Sequence, residues 1–282
     1  MDELMICVAP YPSEKQEEKF PGRIDLPEEV IRCYHAGASI VHLHVRDENG
    51  SQTIDPTVFR KDVEKIRSQC PVIFEGSTGG LPEHSLQERC VSFTVPGIEM
   101  GSLNLGSVNL VGGVYQNPMS DIRFYARELK KRNIKPFLCI FDLSMFHNAE
   151  RLEKEGLIFP LYAYNFVFDM PDSIPFTTKT LDVFLDFLPK ESHWFMTRHH
   201  SKGWEGFRLA LERGGHVRVG YEDGPFLSSG KRAQSNAELV EEVSKAAQSF
   251  GRRVVSPDRA REILGIPPGN NSRSTQQEGR GC

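Results

Sequence analysis

The stretch Ile40-Val41-His42-Leu43-His44-Val45-Arg46-Asp47 has the pattern of a short buried β-strand that two histidines interrupt near its C-terminal end. A helical pattern over Pro56–Arg67 follows it, so the two together predict one βα unit. Seven further apolar runs repeat this arrangement along the chain. The predicted strands are Met5–Ala9, Ile40–His44, Val72–Glu75, Ile98–Met100, Phe137–Phe141, Tyr162–Val167, Trp194–Met196 and Val217–Gly220.

Helical patterns follow most of these strands, and several of them begin with proline or with a capping residue. They are predicted over Pro27–His35, Pro56–Arg67, Pro82–Cys90, Ser120–Arg132, Asn148–Lys154, Thr177–Phe187, Trp204–Arg213 and Asn236–Phe250. Eight such units predict a single α/β domain, a (β/α)8 TIM barrel over residues 1–266. An open doubly wound sheet is the rival fold, but no Gly-x-Gly-x-x-Gly turn follows the first strand. Residues 267–282 lack apolar periodicity and are predicted to form a disordered tail.

The composition is that of an ordinary soluble enzyme. Apolar residues make up 39% and charged residues 26% of the chain, and the formal net charge is −4, which argues against a membrane protein and a disordered one. Basic residues are scattered, so no nucleic-acid partner is expected. The six cysteines form no Cys-x-x-Cys pair and are interpreted as reduced thiols. Because the first residues show neither a signal peptide nor a membrane span, a cytoplasmic location is expected.

His42 and His44 are two positions apart, so their side chains share one face of a strand. If Val41, Leu43 and Val45 pack outward, both imidazoles point into the barrel at the end where TIM-barrel enzymes carry their active sites. This position predicts two metal ligands. A hydrogen-bonded pair of core histidines is the alternative interpretation.

Glu222 is the predicted third ligand, because a period of two places it on the same face of the last strand as Arg218. Two imidazoles and one carboxylate leave a coordination position open for substrate, as in catalytic zinc sites. An iron(II) triad uses the same ligand types, so the metal identity stays open. Asp223 shares that face only if the chain turns there, and Gly224-Pro225 indicates that it does.

Two further segments supply polar groups at strand ends. Ser77-Thr78-Gly79-Gly80 is a small-residue loop whose backbone N–H groups and hydroxyls suit a carboxylate or phosphate. Ser102 and Asn104 share one parity at the end of the fourth strand, which favours a pocket there. His199 and His200 are interpreted as an exposed loop that faces anions rather than as a second metal site.

The order of these motifs resembles the β-keto acid cleavage enzyme family. The resemblance spans most of the chain, through Pro27-Glu28-Glu29, Ala36-Gly37-Ala38, His42-Leu43-His44, Ser77-Thr78-Gly79-Gly80, Leu103-Asn104, Gly214-Gly215-His216, Glu222-Asp223, Ser235-Asn236-Ala237 and Ala260-Arg261-Glu262-Ile263-Leu264. It implies a zinc barrel, usually a homo-oligomer and here a tetramer, with His42, His44 and Glu222 as the metal ligands. It also implies a reaction in which a β-keto acid and acetyl-CoA give acetoacetate and a shorter acyl-CoA.

The resemblance also assigns roles to single residues. It implies that Asp223 is the base, that Arg218 and Ser77 belong to the group that activates the substrate, and that Glu14 is a further catalytic residue. The implied substrate-binding residues are Thr78, Gly80, Ser102 and Asn104. Ser102 stands where the typical member has threonine, which keeps the hydroxyl group.

One position departs from the family pattern. Cys139 stands where the amino-keto acid enzyme has a glutamate suited to a substrate ammonium, so the cationic keto acid is not expected to be preferred. Other functions remain open from the residues alone: a metal-dependent hydrolase or aldolase that does not use CoA, or a binding protein that has kept the pocket. The second-strand position of His-x-His and the absence of an evident bridging lysine argue against an amidohydrolase.

Overall fold

The computed structural model describes residues 2–11, 24–78, 84–110, 113–170, 172–199 and 203–267. Within these ranges the strands are β1 (Glu3–Leu4), β2 (Ile6–Val8), β3 (Ile40–Leu43), β4 (Ile73–Gly76), β5 (Ile98–Asn104), β6 (Val108–Leu110), β7 (Gly113–Tyr115), β8 (Lys135–Ile140), β9 (Tyr162–Phe168), β10 (Ser192–Arg198), β11 (His216–Val219) and β12 (Arg253–Val254). The helices are α1 (Leu26–Ala36), α2 (Pro56–Arg67), α3 (Leu86–Arg89), α4 (Met119–Lys131), α5 (Ser144–Lys154), α6 (Thr178–Phe187), α7 (Glu205–Glu212), α8 (Asn236–Ser249) and α9 (Pro257–Leu264).

Eight parallel strands close into a barrel in the order β10-β11-β2-β3-β4-β5-β8-β9. This confirms the predicted TIM barrel. Every barrel strand contains or overlaps one of the eight strands predicted from the sequence. The closure leaves the barrel with no unpaired edge.

The differences from the predicted elements lie at helix ends and in short additions. Helix α5 begins at Ser144 rather than Asn148, because Asp142 Oδ1 accepts a hydrogen bond of 2.9 Å from the Ser144 amide and so supports an earlier first turn. Helix α3 retains only part of the predicted Pro82–Cys90 helix, whose first two residues lie outside the described ranges. The β6–β7 hairpin, the β1–β12 pair and α9 were not predicted, because each is too short to show a clear periodicity.

The barrel interior is layered. Along seven of the eight strands, an inward residue in the lower layer is followed two positions later by an inward residue in the upper layer. The pairs are Ile40 and His42, Ile73 and Glu75, Met100 and Ser102, Phe137 and Cys139, Ala163 and Asn165, Phe195 and Thr197, and His216 and Arg218. The lower layer is almost entirely apolar, whereas the upper layer carries the polar groups. The functional side chains therefore stand on a packed floor.

Helix α9 closes the barrel below this floor. Ala260, Leu264 and Ile266 join the same buried cluster as the inward apolar residues of the strands. The outward residues Val41 and Leu43 belong to the second cluster, between strands and helices, as the sequence predicted. This division fixes the direction in which His42 points.

Three further predictions concern membrane spans, the C-terminal tail and the domain boundary. None of the helices in the described part of the chain combines the length and the hydrophobicity of a membrane span. The tail prediction falls on residues of which only Pro267 is described. The single-domain boundary at residue 266 stays a prediction.

Gly220 connects the barrel to the predicted catalytic carboxylates. Its φ is +145°, and a Cβ atom at this position would lie 2.1 Å from the Ala9 carbonyl oxygen on the neighbouring strand. That same oxygen accepts a hydrogen bond of 3.2 Å from the Glu222 amide. A side chain at residue 220 would therefore push apart the two strand ends that position Glu222.

We expect Gly220→Ala to lower the free energy of unfolding by about 2 kcal/mol or more, since it adds both backbone strain and a clash with backbone. Chemical denaturation measures this change. Gly230→Ala is the matched control, because Gly230 has φ +77° but nothing within 4 Å of an added Cβ. Equal losses of stability in the two variants would contradict the close approach of residues 220 and 9.

Candidate metal centre and active site

Three side chains converge at the upper end of the barrel. His42 Nε2 lies 3.4 Å from Glu222 Oε1, and His44 Nε2 lies 3.8 Å from Glu222 Oε2. One possible ligand atom from each of the three residues falls within 4.8 Å of the others. This group is the one that the sequence predicted as metal ligands. The rings of His42 and His44 meet edge to face, with centroids 5.0 Å apart.

Glu75 orients His42 from the opposite side. Its fully buried carboxylate accepts a hydrogen bond from His42 Nδ1 through one oxygen, and from Ser102 Oγ at 2.5 Å through the other. Because Nδ1 then carries the proton, Nε2 of neutral His42 has its lone pair directed toward Glu222. A carboxylate behind a metal-binding imidazole is the usual means of setting its tautomer and basicity.

The charges of this cluster suit a cation. Burial disfavours the charged form of His42, but the carboxylates of Glu75 and Glu222 outweigh it and raise the pKa of His42 to about 9. Burial lowers the pKa of His44 to about 4, against the attraction of Glu222. The carboxylates of Glu75 and Glu222 carry two negative charges, of which a protonated His42 balances one, whereas a divalent ion would balance both.

One atom of the cluster is left without a partner. Glu222 Oε2 is buried and has no hydrogen bond to any described residue. A buried carboxylate oxygen without a donor is costly, and a metal ion would satisfy it. The nitrogen, nitrogen and oxygen donors also match a catalytic zinc site. The residues present therefore fit a divalent metal.

Arg218 links the predicted ligand Glu222 to its neighbour Asp223. Its Nη2 donates to Glu222 Oε1 at 2.7 Å and to Asp223 Oδ1 at 3.1 Å, and its Nε donates to Asp223 Oδ2 at 2.8 Å. Although burial lowers the pKa of Arg218, the two carboxylates raise it well above its usual range, so the guanidinium stays charged. Asp223 is itself fully buried and also lies 3.3 Å from His199 Nε2.

A cavity of about 290 Å³ lies at the upper end of the barrel and is bordered by Arg218 and Glu222, with Asp223 buried behind them. Its metal side is formed by His42, His44, Arg218 and Glu222, with Ser77 beside them. Its other side is formed by residues of the β5, β8, β9 and β10 strands and by Tyr115 of β7. The volume suits a small organic substrate rather than a polymer.

The family is decided by comparison with known proteins. The sequence profile of a family described as beta-keto acid cleavage enzyme matches residues 3–266. The chain belongs to this family.

Its relatives include several named enzymes. The chain is 36% identical over 273 residues to a 3-keto-5-aminohexanoate cleavage enzyme of Acetoanaerobium sticklandii, with 94% of this chain and 99% of the relative covered. It is 32% identical over 244 residues to a 3-oxoadipate:acetyl-CoA acetyltransferase of Cupriavidus necator, with 85% of each chain covered. Among solved structures, a ternary complex of ObcA with a C4-CoA adduct and oxalate has a TM-score of 0.71 at 18% identity, over 86% of this chain and 66% of that chain. At that identity the likeness concerns the fold alone.

The structure brings most of the predicted site residues together. Ser77, Ser102 and Asn104 line the cavity with the three ligands and Arg218. Thr78 is buried beside them and donates its hydroxyl to the Ser102 carbonyl at 3.1 Å. Glu14 and Gly80 lie outside the described residues, so their roles stay predictions.

Sequence reasoning missed two residues at this site. Glu75 was placed at the end of a strand without a role, although its position opposite His42 in the β3–β4 register puts the two side chains side by side. His199 was interpreted as exposed, which is wrong, because only 15% of its side chain is exposed and it contacts Asp223. Its parity with Thr197 on the same strand was the signal that could have found it.

We expect Glu75→Gln to weaken metal binding by about 10- to 100-fold, because the neutral amide no longer supports the Nδ1 proton of His42 as a carboxylate does. Competition with a chelator of known affinity measures the change. Glu99→Gln is the control, since Glu99 is also a largely buried glutamate that pairs with Arg261 outside the site. Unchanged metal affinity in Glu75→Gln would show that His42 does not depend on this contact.

Proposed function

We propose that this protein is a zinc-dependent enzyme that transfers the acyl part of a β-keto acid to CoA, with acetyl-CoA as co-substrate and acetoacetate as the second product. The observation that carries the proposal is the convergence of His42, His44 and Glu222 beside a small cavity, in a chain of this family. The names of the relatives support acetyl-CoA as the co-substrate.

The metal would be held by His42, His44 and Glu222. When bound, a zinc ion polarises a keto oxygen and makes the neighbouring carbon more acidic. The remaining chemistry belongs to the side chains around the cavity. Arg218 and Ser77 border the cavity, where the first offers a permanent positive charge and the second a hydroxyl group to the carboxylate or keto oxygen of the substrate.

Asp223 is the proposed base. It is the one carboxylate of this cluster that is neither a proposed metal ligand nor buried behind His42, and Arg218 and His199 hold it in place. Each carboxylate oxygen has two lone pairs, so Asp223 retains acceptor capacity beyond these contacts. We propose that it takes a proton from the carbon between the keto and carboxylate groups.

The proposed sequence of steps balances without an external reagent. The carbanion left by proton removal forms a bond to the carbonyl carbon of acetyl-CoA and expels the CoA thiolate. The thiolate adds to the original keto carbon, and the bond between that carbon and the former carbanion carbon breaks. The electron pair of the broken bond stays on the former carbanion carbon, which now carries the acetyl group. This carbon takes back the proton from Asp223, and the product leaves as acetoacetate. The shorter acyl-CoA remains.

We expect the zinc-loaded protein to form acetoacetate and a new acyl-CoA from a β-keto acid only when acetyl-CoA is present, and to lose this activity with a chelator. Mass spectrometry of a panel of β-keto acids measures both products. Turnover without CoA would favour a hydrolase or aldolase. No product with any keto acid in the panel would contradict the proposed reaction.

The same assay tests the base. Asp223→Asn is nearly isosteric and is expected to lower kcat by about 100-fold or more while metal content stays unchanged. Asp182→Asn is the control, because Asp182 forms a surface ion pair with Arg213. If Asp223→Asn keeps normal turnover, Asp223 is not the base, and His199 becomes the next residue to test. The homo-oligomer implied by the resemblance remains part of this proposal.

A further inference from the structure

The cavity has two chemically different halves. The strands β11, β3 and β4 carry its charged side, with the proposed metal ligands and Arg218. The opposite side contains Cys139, Phe141, Asn165, Val167, Met170 and Thr197, which we call the neutral wall, and His199 borders this wall next to Asp223. These six residues lie on or directly after β8, β9 and β10, of which β9 lies across the barrel from β3 and β10 pairs with β11.

The neutral wall carries no formal charge. The two polar side chains, Asn165 and Thr197, are fully buried and pair with each other, with Thr197 Oγ1 donating to Asn165 Oδ1 at 2.6 Å. Burial raises the pKa of the Cys139 thiol to about 12, so it stays protonated at neutral pH. The rest of the wall is apolar.

The charged residues that flank the wall in sequence are occupied elsewhere. Asp169 accepts a hydrogen bond of 2.8 Å from Arg198 Nε on one carboxylate oxygen and a hydrogen bond of 2.8 Å from the Phe176 amide on the other. Asp142 is exposed and accepts a hydrogen bond from the Ser144 amide at the start of helix α5. None of Asp142, Asp169 and Arg198 lines the cavity. Across the described ranges, therefore, the neutral wall offers a ligand no carboxylate, lysine or arginine, and the imidazole of His199 at its border faces Asp223 at 3.3 Å.

The difference between the charged half of the cavity and the neutral wall orients a substrate. If the keto and carboxylate groups face the charged half, as the proposed function requires, the chain beyond the keto carbon must lie against the neutral wall. A charge at the end of that chain would lose its hydration there without gaining a counter-ion. An apolar chain would lose only water from its surface, and contact with Phe141, Val167 and Met170 would favour it.

We propose that the preferred β-keto acid has an uncharged, mainly apolar chain beyond its keto group, and that the neutral wall selects it. This inference rests on the proposed function, because it takes the metal side of the cavity as the place of the keto acid head.

Three six-carbon β-keto acids separate charge from size: 3-oxohexanoate has a neutral chain, 3-keto-5-aminohexanoate has an ammonium group, and 3-oxoadipate has a second carboxylate. With zinc-loaded protein and acetyl-CoA, we expect kcat/KM for the neutral acid to exceed that for either charged acid by about 100-fold. Calorimetric titration of the same acids without acetyl-CoA is expected to give the same order of affinity.

The two measurements separate this inference from the proposed reaction. A charged acid that binds as tightly as 3-oxohexanoate, or is turned over as well, overturns the inference and leaves the reaction standing. Neutral-chain preference in binding without any turnover supports the selection by the wall and contradicts the reaction.

Asn165→Asp places a carboxylate in the wall with almost no change of shape. We expect it to raise the ratio of kcat/KM for the ammonium acid over the neutral acid by about tenfold or more. Asn165→Leu is the matched control, since it changes the same residue without adding charge and should keep the neutral preference. An unchanged ratio in a folded Asn165→Asp protein would show that the chain does not lie against this wall.

Discussion

Glu75 has no exposed surface, and both of its carboxylate oxygens are hydrogen-bonded inside the barrel, one by His42 and the other by Ser102. A buried carboxylate is stable only where such donors surround it. Its position therefore ties β3, β4 and β5 together at the level where the floor of the barrel ends. The direction of His42 Nε2 toward Glu222, and with it the proposed metal centre, depends on this buried network. Glu222 is in turn held by Arg218, so the proposed ligands from opposite ends of the chain reach one point through fixed contacts.

The layered interior explains why the site lies where it does. Apolar side chains fill the lower half of the barrel, so polar groups on the same strand faces are confined to the upper half. There the charged groups lie at the ends of β3, β4 and β11, whereas the cavity-lining residues Cys139, Asn165 and Thr197 of β8, β9 and β10 are uncharged. A β-keto acid has the same asymmetry, because its polar head and its variable chain are at opposite ends.

Periodicity made the barrel and the convergence of His42, His44 and Glu222 predictable, because both depend on a local pattern. Alternation along Ile40–His44 was sufficient to place the two histidines inside, and the same rule placed Glu222 near them. The two site residues that the sequence did not reveal, Glu75 and His199, depend on contacts between distant segments. Glu75 gains its role only from the β3–β4 register, and His199 from its contact with Asp223, neither of which a single strand reveals. Helix α9 was missed because its eight residues are held by the barrel floor rather than by a long amphipathic pattern.

The most direct test of the metal centre is a crystal structure of the zinc-loaded protein with anomalous diffraction data collected on both sides of the zinc absorption edge. We expect one strong anomalous peak per chain at the upper end of the barrel, about 2 Å from His42 Nε2, His44 Nε2 and a Glu222 oxygen. Glu75 is expected to remain hydrogen-bonded to His42 Nδ1. A peak elsewhere, or no peak at these three ligand residues in zinc-saturated crystals, would contradict the proposed metal centre.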